Sequence, residues 1–254
     1  MKYGEECRPI KLNRHYVGVE PNVEVDGDQI FKALMRTTRS IIRKMEVTPL
    51  YKENSILCFV QTRKQTQELA NMFRSQLGTG LTIDKPVYTH GELQRLNNLM
   101  NQTVAQLLLL GIGIHHAGLQ RGDRLFVEEM FGKRRIRMLI STTTLAAGIN
   151  TSATVVFVVG TTQYDRQQNI RQNVAVSEVE QMMGRAGRIG NGSNNLTSAT
   201  AYVITTKKDA YRYCHAPIEP VLSQLLVDEN FEEMLNAHLA HCQGTDDYGK
   251  MLKW

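Results

Sequence analysis

An unbroken apolar run stands in the first quarter of the chain: Ser55-Ile56-Leu57-Cys58-Phe59-Val60. Runs of this length and composition are typical of strands that are buried on both faces of a sheet. The polar turn Gln61-Thr62-Arg63-Lys64 follows, and apolar residues then recur at helical spacing, at Leu69, Met72, Phe73 and Leu77. A buried strand that leads directly into a helix is the unit from which parallel sheets are built, so this segment predicts an α/β fold.

The same alternation of strands and helices extends in both directions. Upstream, residues 14–19 alternate like a strand, and an apolar stripe from Ile30 to Met45 predicts a helix. Downstream, a short strand is expected at the start of 111–119. We expect helices over 93–110 and 121–131, and further strands over 135–141, 154–159 and 199–204. The predicted fold class is therefore α/β, with a parallel sheet that helices cover on both faces.

The pattern changes near residue 216. Beyond it, apolar residues at helical spacing continue from Val221 to Leu239 without intervening strands. We therefore predict two domains, an α/β domain over 1–216 and the start of a helical domain over 217–254.

Composition argues against several classes of protein. The 254 residues carry a formal net charge of +5, which mildly favours a polyanionic partner. No apolar run approaches the roughly 20 residues of a membrane span, and the polar N-terminus does not resemble a signal peptide, so no membrane partner is expected. The four cysteines lie far apart without a CxxC pair, which favours reduced thiols in an intracellular protein. His238, His241 and Cys242 cluster, but without a second ligand pair they do not predict a metal site.

Polar residues follow three of the predicted strands at the point where each strand ends. They are Thr62-Arg63, His115-His116-Ala117-Gly118 and Thr142-Thr143-Thr144. Ligands of parallel sheets collect at this edge, and hydroxyls beside the free N–H groups of a helix N-terminus suit phosphate binding. Taken singly, each group has a plain structural alternative, because threonines often cap helices and buried histidines are usually satisfied core residues.

A further polar motif follows the strand predicted over 154–159: Ser177-Glu178-Val179-Glu180-Gln181-Met182-Met183-Gly184-Arg185-Ala186-Gly187-Arg188. Ser177 and Glu180 predict a capping box at a helix start. On a helix, Arg185 and Arg188 would project from one side, and the glycines beside them would let a polyanion approach closely. Guanidinium forks suit phosphate oxygens. A solvated arginine-rich helix is the alternative.

Taken together, three motifs resemble a known family. The order His115-His116-Ala117-Gly118-Leu119, then Ser141 to Asn150 (STTTLAAGIN), then Gln181 to Arg188 (QMMGRAGR) is similar to motifs IVa, V and VI of superfamily 2 helicases. More specifically, it resembles the superkiller-type DExH group that contains the large spliceosomal helicase and the activating signal cointegrator helicase. Arg8-Pro9-Ile10 and Tyr16-Val17-Gly18-Val19 extend the resemblance, which covers nearly the whole chain. Pro217-Ile218-Glu219 and Met234 to His238 resemble the start of that group's winged-helix domain.

The resemblance implies a second RecA-like domain and assigns roles to its residues. ATP with magnesium would be bound jointly with an upstream RecA-like domain of the same protein. Arg188 would be the arginine finger, Arg185 would also reach the phosphates, and Gln181 would orient the γ-phosphate or the attacking water. Gly148 and Asn150 would border the nucleotide. The sugar-phosphate backbone would be held without regard to sequence, and the track shaped, by Thr62, Arg63, Thr142, Thr143 and His116.

Three local features complete this interpretation. Between motifs V and VI, residues 163–176 resemble a strand-separating β-hairpin, with a long polar loop as the alternative. The segment Asn150-Thr151-Ser152-Ala153 departs from the family's usual Asn-Leu-Pro-Ala, and Ile189 stands where a proline is usual. No GxxxxGK[ST] phosphate loop and no DExH box occurs anywhere in the sequence, so we expect this polypeptide to lack ATP hydrolysis of its own.

The function that we predict is the motor domain of an ATP-dependent RNA helicase, nuclear by resemblance, with spliceosomal or other ribonucleoprotein partners. Two alternatives stay open at this point: a DNA helicase of repair or meiosis, and an inert cassette that serves as a nucleic-acid or protein-binding platform. The spacing of motifs does not separate RNA from DNA.

Overall fold

The structure is a computed structural model that describes residues 8–20, 27–46, 55–77, 83, 86–143, 153–165, 169–187 and 197–217. The chain divides into two compact units, Met1–Pro217 and Ile218–Trp254. Apart from Pro217, the predicted helical domain over 217–254 lies outside the described residues. The same holds for His238, His241 and Cys242.

The first unit is built on a parallel sheet. Its six strands are β1 (Lys11–Val19), β2 (Ile56–Val60), β3 (Ile112–His115), β4 (Met138–Thr142), β5 (Val155–Val159) and β8 (Ser198–Thr206). They are ordered β1-β8-β5-β2-β4-β3, and every pair is parallel. Two further strands, β6 (Thr162–Asp165) and β7 (Ile170–Asn173), form a separate antiparallel hairpin.

Seven helices occur among the described residues. They are α1 (Gly27–Glu46), α2 (Arg63–Gln76), α3 (His90–Asn97), α4 (Gln102–Leu108), α5 (Arg121–Gly132), α6 (Val176–Met183) and α7 (Lys207–His215). Helices α1 and α2 pack on the sheet and on each other, while α6 packs on β5 and α7 packs on β1 and β8. The predicted α/β fold of the RecA-like type is confirmed.

The apolar run at 55–60 lies at the centre of the sheet for the reason that its composition indicates. Strand β2 pairs with β5 on one side and β4 on the other, and all five of its residues are completely buried. A strand with neighbours on both sides and helices above it has no polar surface to present, so every position favours an apolar residue.

The segment 93–110 contains two helices, so the prediction of one continuous helix is wrong. Asn101 lies between α3 and α4, and its Oδ1 accepts hydrogen bonds from the N–H groups of Thr103 and Val104 at 3.0 and 3.2 Å. Asparagine can bond nearby backbone groups in place of a helical carbonyl, so a helix starts afresh at this position. The apolar spacing continues through the break, which is why periodicity alone did not reveal it.

The start of α6 also differs from the prediction. Ala175 occupies the N-cap position without a side-chain hydrogen bond, and Ser177 lies inside the first turn. Glu180 forms no capping box; its carboxylate pairs with Arg14 of β1 at 3.3 Å. The helix starts before the predicted cap at Ser177 because the chain that leads into it is held at the base of the hairpin. There the Val174 N–H donates to the Thr161 carbonyl at 2.8 Å.

Candidate nucleic-acid interface

Three of the predicted polar groups lie together at one edge of the sheet. Val60 is in register with Thr142, and His115 is in register with Ser141, so β2, β4 and β3 end side by side. We call this the carboxyl edge. Neighbouring strands lie about 4.8 Å apart, so the three strand ends span about 10 Å, which is the scale of one to two nucleotides of extended backbone.

Thr62 and Arg63 begin α2 at the carboxyl edge. The Thr62 hydroxyl oxygen accepts a hydrogen bond from the Gln65 N–H at 3.2 Å, and Gln65 Oε1 accepts from the Thr62 N–H at 3.1 Å. This is a capping box, and its signature T-x-x-Q, formed by Thr62 and Gln65, is a local sequence signal for the start of this helix. The Thr62 hydroxyl hydrogen remains available to a phosphate oxygen, and the Arg63 side chain is exposed.

His116 faces Arg63 at the same edge. The Gly118 N–H donates to His116 Nδ1 at 3.2 Å, which places the ring hydrogen of a neutral imidazole on Nε2. His116 Nε2 is buried and has no hydrogen-bond partner among the described residues. Burial, reinforced by the positive charge of Arg63, lowers the pKa of His116 from its ordinary value. The site therefore offers one neutral N–H donor beside one guanidinium.

Gly118 has a clear steric role in this arrangement. A side-chain Cβ at this position would lie 2.8 Å from Arg63 Nη1 and 3.0 Å from Arg63 Cζ. The absence of a side chain lets the guanidinium lie directly over the turn that follows β3.

His115 points away from this group despite its position next to His116. Its Nε2 lies 2.7 Å from Glu128 Oε1 of α5, and the residue is 5% exposed. Burial lowers the pKa of His115, and the Glu128 carboxylate opposes that shift. No local sequence signal points to Glu128, because the contact joins residues of different elements.

The two threonines that follow β4 differ in accessibility. Thr142 is buried at 7% exposure, while Thr143 is half-buried. Thr144, Gly148 and Asn150 lie outside the described residues, as do Arg188 and Ile189.

Arg185 lies at the opposite edge of the sheet. Its carbonyl accepts from the Ala153 N–H at 3.2 Å, and the Gly187 N–H donates to the Ala153 carbonyl at 2.9 Å. Ala153 precedes β5, so this bridge lies at the amino edge, about 15 Å from the carboxyl edge for strands of this length. Gln181, on α6, is exposed, whereas Arg185 is 5% exposed.

Arg185 does not lie on the helix, so that part of the prediction is wrong for this arginine, and Arg188 lies outside the described residues. Helix α6 ends at Met183 with Gly184 in the C-cap position, and Arg185 follows it. Gly187 has a φ of +67°, and a Cβ there would lie 2.7 Å from Ala199 Cβ and 2.9 Å from Ile10 Cγ2. Its lack of a side chain therefore permits close internal packing, rather than the approach of a polyanion.

The segment after β5 forms a hairpin rather than a long polar loop. Strands β6 and β7 pair from Thr162 with Asn173 to Asp165 with Ile170. Tyr164 and Ile170 are 55% and 49% exposed near its turn, and the Tyr164 hydroxyl donates to Asn169 Oδ1. These two exposed side chains, one aromatic and one aliphatic, are available for contact with a base or base pair.

The part of the chain that the structure describes contains no group of three or more metal-ligating side chains. It also contains no helix whose length and apolar character would suit a membrane crossing.

Comparison with known proteins adds independent evidence. Residues 39–190 match the helicase conserved C-terminal domain family. A Dictyostelium discoideum protein, activating signal cointegrator 1 complex subunit 3-like, is 35% identical over 73% of this chain and 8% of its own length. The U5 small nuclear ribonucleoprotein 200 kDa helicase of Drosophila melanogaster is 30% identical over 93% of this chain and 11% of its own. The Arabidopsis thaliana DExH-box ATP-dependent RNA helicase DExH12 is 28% identical over 74% and 8%. The chain thus spans about a tenth of the length of these relatives.

Proposed function

The chain belongs to the helicase conserved C-terminal domain family, in its superkiller-type DExH group, and we propose that it is the second RecA-like motor domain of an ATP-dependent RNA helicase. The observation that supports this most directly is the carboxyl edge, where hydroxyls and a guanidinium lie beside a buried imidazole N–H that no described residue binds. RNA is proposed as the substrate because a relative is named as an RNA helicase.

The carboxyl edge is proposed to hold the sugar-phosphate backbone. Arg63 contributes a permanent positive charge, and Thr62, Thr143 and His116 contribute hydrogen-bond donors that suit phosphate oxygens. Thr142 is proposed as a lesser contact, since it is buried in this chain. Such contacts ignore base identity, as a motor that moves along a strand requires.

The amino edge is proposed to complete the nucleotide site. Arg188 is the proposed arginine finger, with Gln181 and Arg185 beside it, and ATP with magnesium is held jointly with an upstream RecA-like domain. Charge spreads over the equatorial oxygens during phosphoryl transfer, so a preplaced guanidinium stabilises the transition state. Arg185 is nearly enclosed, so its contact with a phosphate requires the guanidinium to turn outward.

A connection between the two edges supports their coupling. Thr143 lies at the carboxyl edge and Ala153 at the amino edge, and the sequence between them contains Gly148 and Asn150. We propose that this segment relays the state of the nucleotide to the nucleic-acid track. The hairpin of β6 and β7 is proposed to separate the strands of a duplex, with Tyr164 and Ile170 against the last base pair.

The cellular setting is proposed from the relatives. One is named as a helicase of the U5 small nuclear ribonucleoprotein, so we propose a nuclear location and ribonucleoprotein partners of the spliceosomal kind. The remainder of the domain proposal, a winged-helix start over 217–254, stays a prediction.

Binding of single-stranded RNA tests the proposed interface. Arg63→Ala should weaken binding and lower the slope of log affinity against log salt by about 0.7, the value expected for one lost phosphate contact on a single strand. Fluorescence anisotropy with a labelled RNA at several salt concentrations measures both quantities.

Arg74→Ala is the matched control. Arg74 is an exposed arginine on the last turn of the same helix, at the far edge of the sheet, so its loss should leave the salt slope unchanged. Equal effects of the two variants would contradict the assignment of the carboxyl edge. Tighter binding of single-stranded DNA than of RNA would favour the DNA helicase alternative.

A further inference from the structure

The β6–β7 hairpin needs an anchor outside itself. It has only two strands, and among the described residues no third strand pairs with it. Isolated two-stranded hairpins are marginally stable in water. A hairpin that pushes against a duplex must also resist the force of that contact, so its orientation depends on whatever holds its base.

Side-chain hydrogen bonds tie both strands of the hairpin to the start of α7. Asn173 Nδ2 of β7 donates to Asp209 Oδ1 at 2.7 Å, and the Thr162 hydroxyl of β6 donates to Asn173 Oδ1 at 3.4 Å. The Thr206 hydroxyl, which caps α7, donates to Asp209 Oδ2 at 2.7 Å. Asp209 is 9% exposed, so its carboxylate is held inside the molecule by these two donors. We call Thr162, Asn173, Thr206 and Asp209 the hairpin clamp.

A second row of hydrogen bonds lies beside the clamp. The Tyr213 hydroxyl of α7 donates to the Val174 carbonyl at 2.6 Å, and Tyr213 is 3% exposed. The hydroxyls of Thr161 and Thr205 lie 2.7 Å apart, which links the start of the hairpin to the end of β8. Helix α7 itself packs on β1 and β8. The base of the hairpin is thereby joined to the sheet through α7.

We propose that the hairpin clamp holds the strand-separating hairpin in a fixed orientation relative to the sheet, with Asn173 and Asp209 as positioning residues. The inference rests on the proposed strand-separating function of the hairpin. It adds that α7 transmits the position of the sheet to the hairpin, so duplex splitting depends on an Asn–Asp pair that touches neither nucleotide nor nucleic acid.

The chemistry of the pair provides a reversible test. In Asn173→Asp, a carboxylate faces the Asp209 carboxylate at hydrogen-bond distance, so the pair repels and the clamp opens. In the double variant Asn173→Asp with Asp209→Asn, the new amide donates to the new carboxylate. The bond between the two side chains returns with donor and acceptor exchanged, and the hydroxyls of Thr162 and Thr206 each still donate to an oxygen acceptor.

Two measurements on the full chain decide the proposal. The first is amide hydrogen exchange across residues 162–173, and the second is the affinity for a forked RNA duplex relative to its single-stranded arm. Asn173→Asp should speed exchange in the hairpin by about tenfold or more and remove the preference for the fork, while single-strand affinity stays within about twofold. The double variant should restore both. Tyr213→Phe, which removes one hydroxyl and keeps the ring, should give a smaller change in the same direction.

The outcomes separate this proposal from the function on which it rests. Unchanged hairpin exchange in Asn173→Asp, or a fork preference that survives it, overturns the clamp. Failure of the double variant to restore exchange also overturns it. Tyr164→Ser, near the hairpin turn, tests the strand-separating role of the hairpin directly. If both Asn173→Asp and Tyr164→Ser keep the preference for the fork, then the hairpin does not separate strands.

Discussion

Gly187 shows how one residue in the motif Gln181 to Arg188 serves the fold. It adopts a left-handed backbone conformation, and its Cα lies where the starts of β1 and β8 meet through Ile10 and Ala199. Any side chain there collides with two buried neighbours. Gly187 therefore fixes the backbone of the motif against the starts of β1 and β8.

Gly187→Ala should destabilise the chain by more than about 1–2 kcal/mol, the cost of a left-handed conformation for a residue with a Cβ, because the collision adds to it. Gly122→Ala is the matched control: Gly122 is inside α5, and an added Cβ meets nothing within 4 Å. It should raise stability by about 0.5–1 kcal/mol. Urea unfolding of both variants measures the difference, and equal effects would contradict the packing argument.

His116 gives a pH dependence at the same scale. Its pKa in the folded chain is lowered below the ordinary value of 6.5 by burial and by Arg63, so the unfolded chain binds a proton more readily. The contribution of His116 to the free energy of unfolding should therefore be fully present above about pH 6.5. It should be lost as the pH falls toward the lower folded-state pKa.

Urea unfolding at pH 7.5 and pH 5 tests this dependence in the wild-type chain and in His116→Asn. The amide oxygen that this substitution introduces can still accept from the Gly118 N–H, but the amide cannot titrate. The loss of stability at pH 5 should be smaller in the variant, although His115 still contributes a loss of the same sign. An identical loss in both chains would remove His116 from the explanation.

At the scale of elements, the corner between α3 and α4 depends on α5. Asp123, in the first turn of α5 and 3% exposed, accepts the Met100 N–H at 3.2 Å and the Asn101 N–H at 3.0 Å. Both donors are freed by the break between the two helices, where a continuous helix would have used them internally.

Asp123→Asn should cost about 1–3 kcal/mol, because the amide offers one acceptor and turns its NH₂ toward the second backbone donor. Glu129→Gln is the matched change on the same helix. Glu129 pairs with Arg95 and Lys133 at a partly exposed position, so its loss should cost less than about 1 kcal/mol. Thermal unfolding ranks the two variants, and the opposite ranking would show that the corner is not held by Asp123.

For the whole molecule, the parallel sheet separates the proposed nucleic-acid track from the proposed nucleotide site. Parallel strands bring all their carboxyl ends to one edge, where Thr62, His116 and Thr143 lie. Helix α6 runs from the hairpin back along β5, which brings Arg185 to the other edge. A motor that couples two ligands needs such a rigid body between their sites. A flexible domain would deform locally and would not transmit a conformational change from one site to the other.

ATP hydrolysis by the whole chain should be undetectable, with or without single-stranded RNA, because the sequence contains neither a phosphate loop nor a DExH box. Phosphate release measured with a coupled assay tests this. Turnover that Arg188→Ala abolishes would reveal a complete nucleotide site within these residues and would contradict the proposed division of the motor.

The sequence by itself determined the fold class, the strands of the sheet and the family. Short stretches of sequence carry those features: the apolar run at 55–60, the alternation between strand and helix spacing of apolar residues, and three motifs whose order is specific to one group of helicases. Local patterns suffice because burial on both faces demands apolar residues at every position of a central strand.

The tertiary structure alone decided what joins distant residues. It turned His115 toward Glu128 and left His116 at the carboxyl edge, gave Gly187 a packing role, broke the helix over 93–110 at Asn101, and tied Asn173 to Asp209. Each of these depends on which elements meet in space. A side chain's partner is set by the packing of helices and strands that lie far apart in the chain, and no local periodicity encodes that meeting.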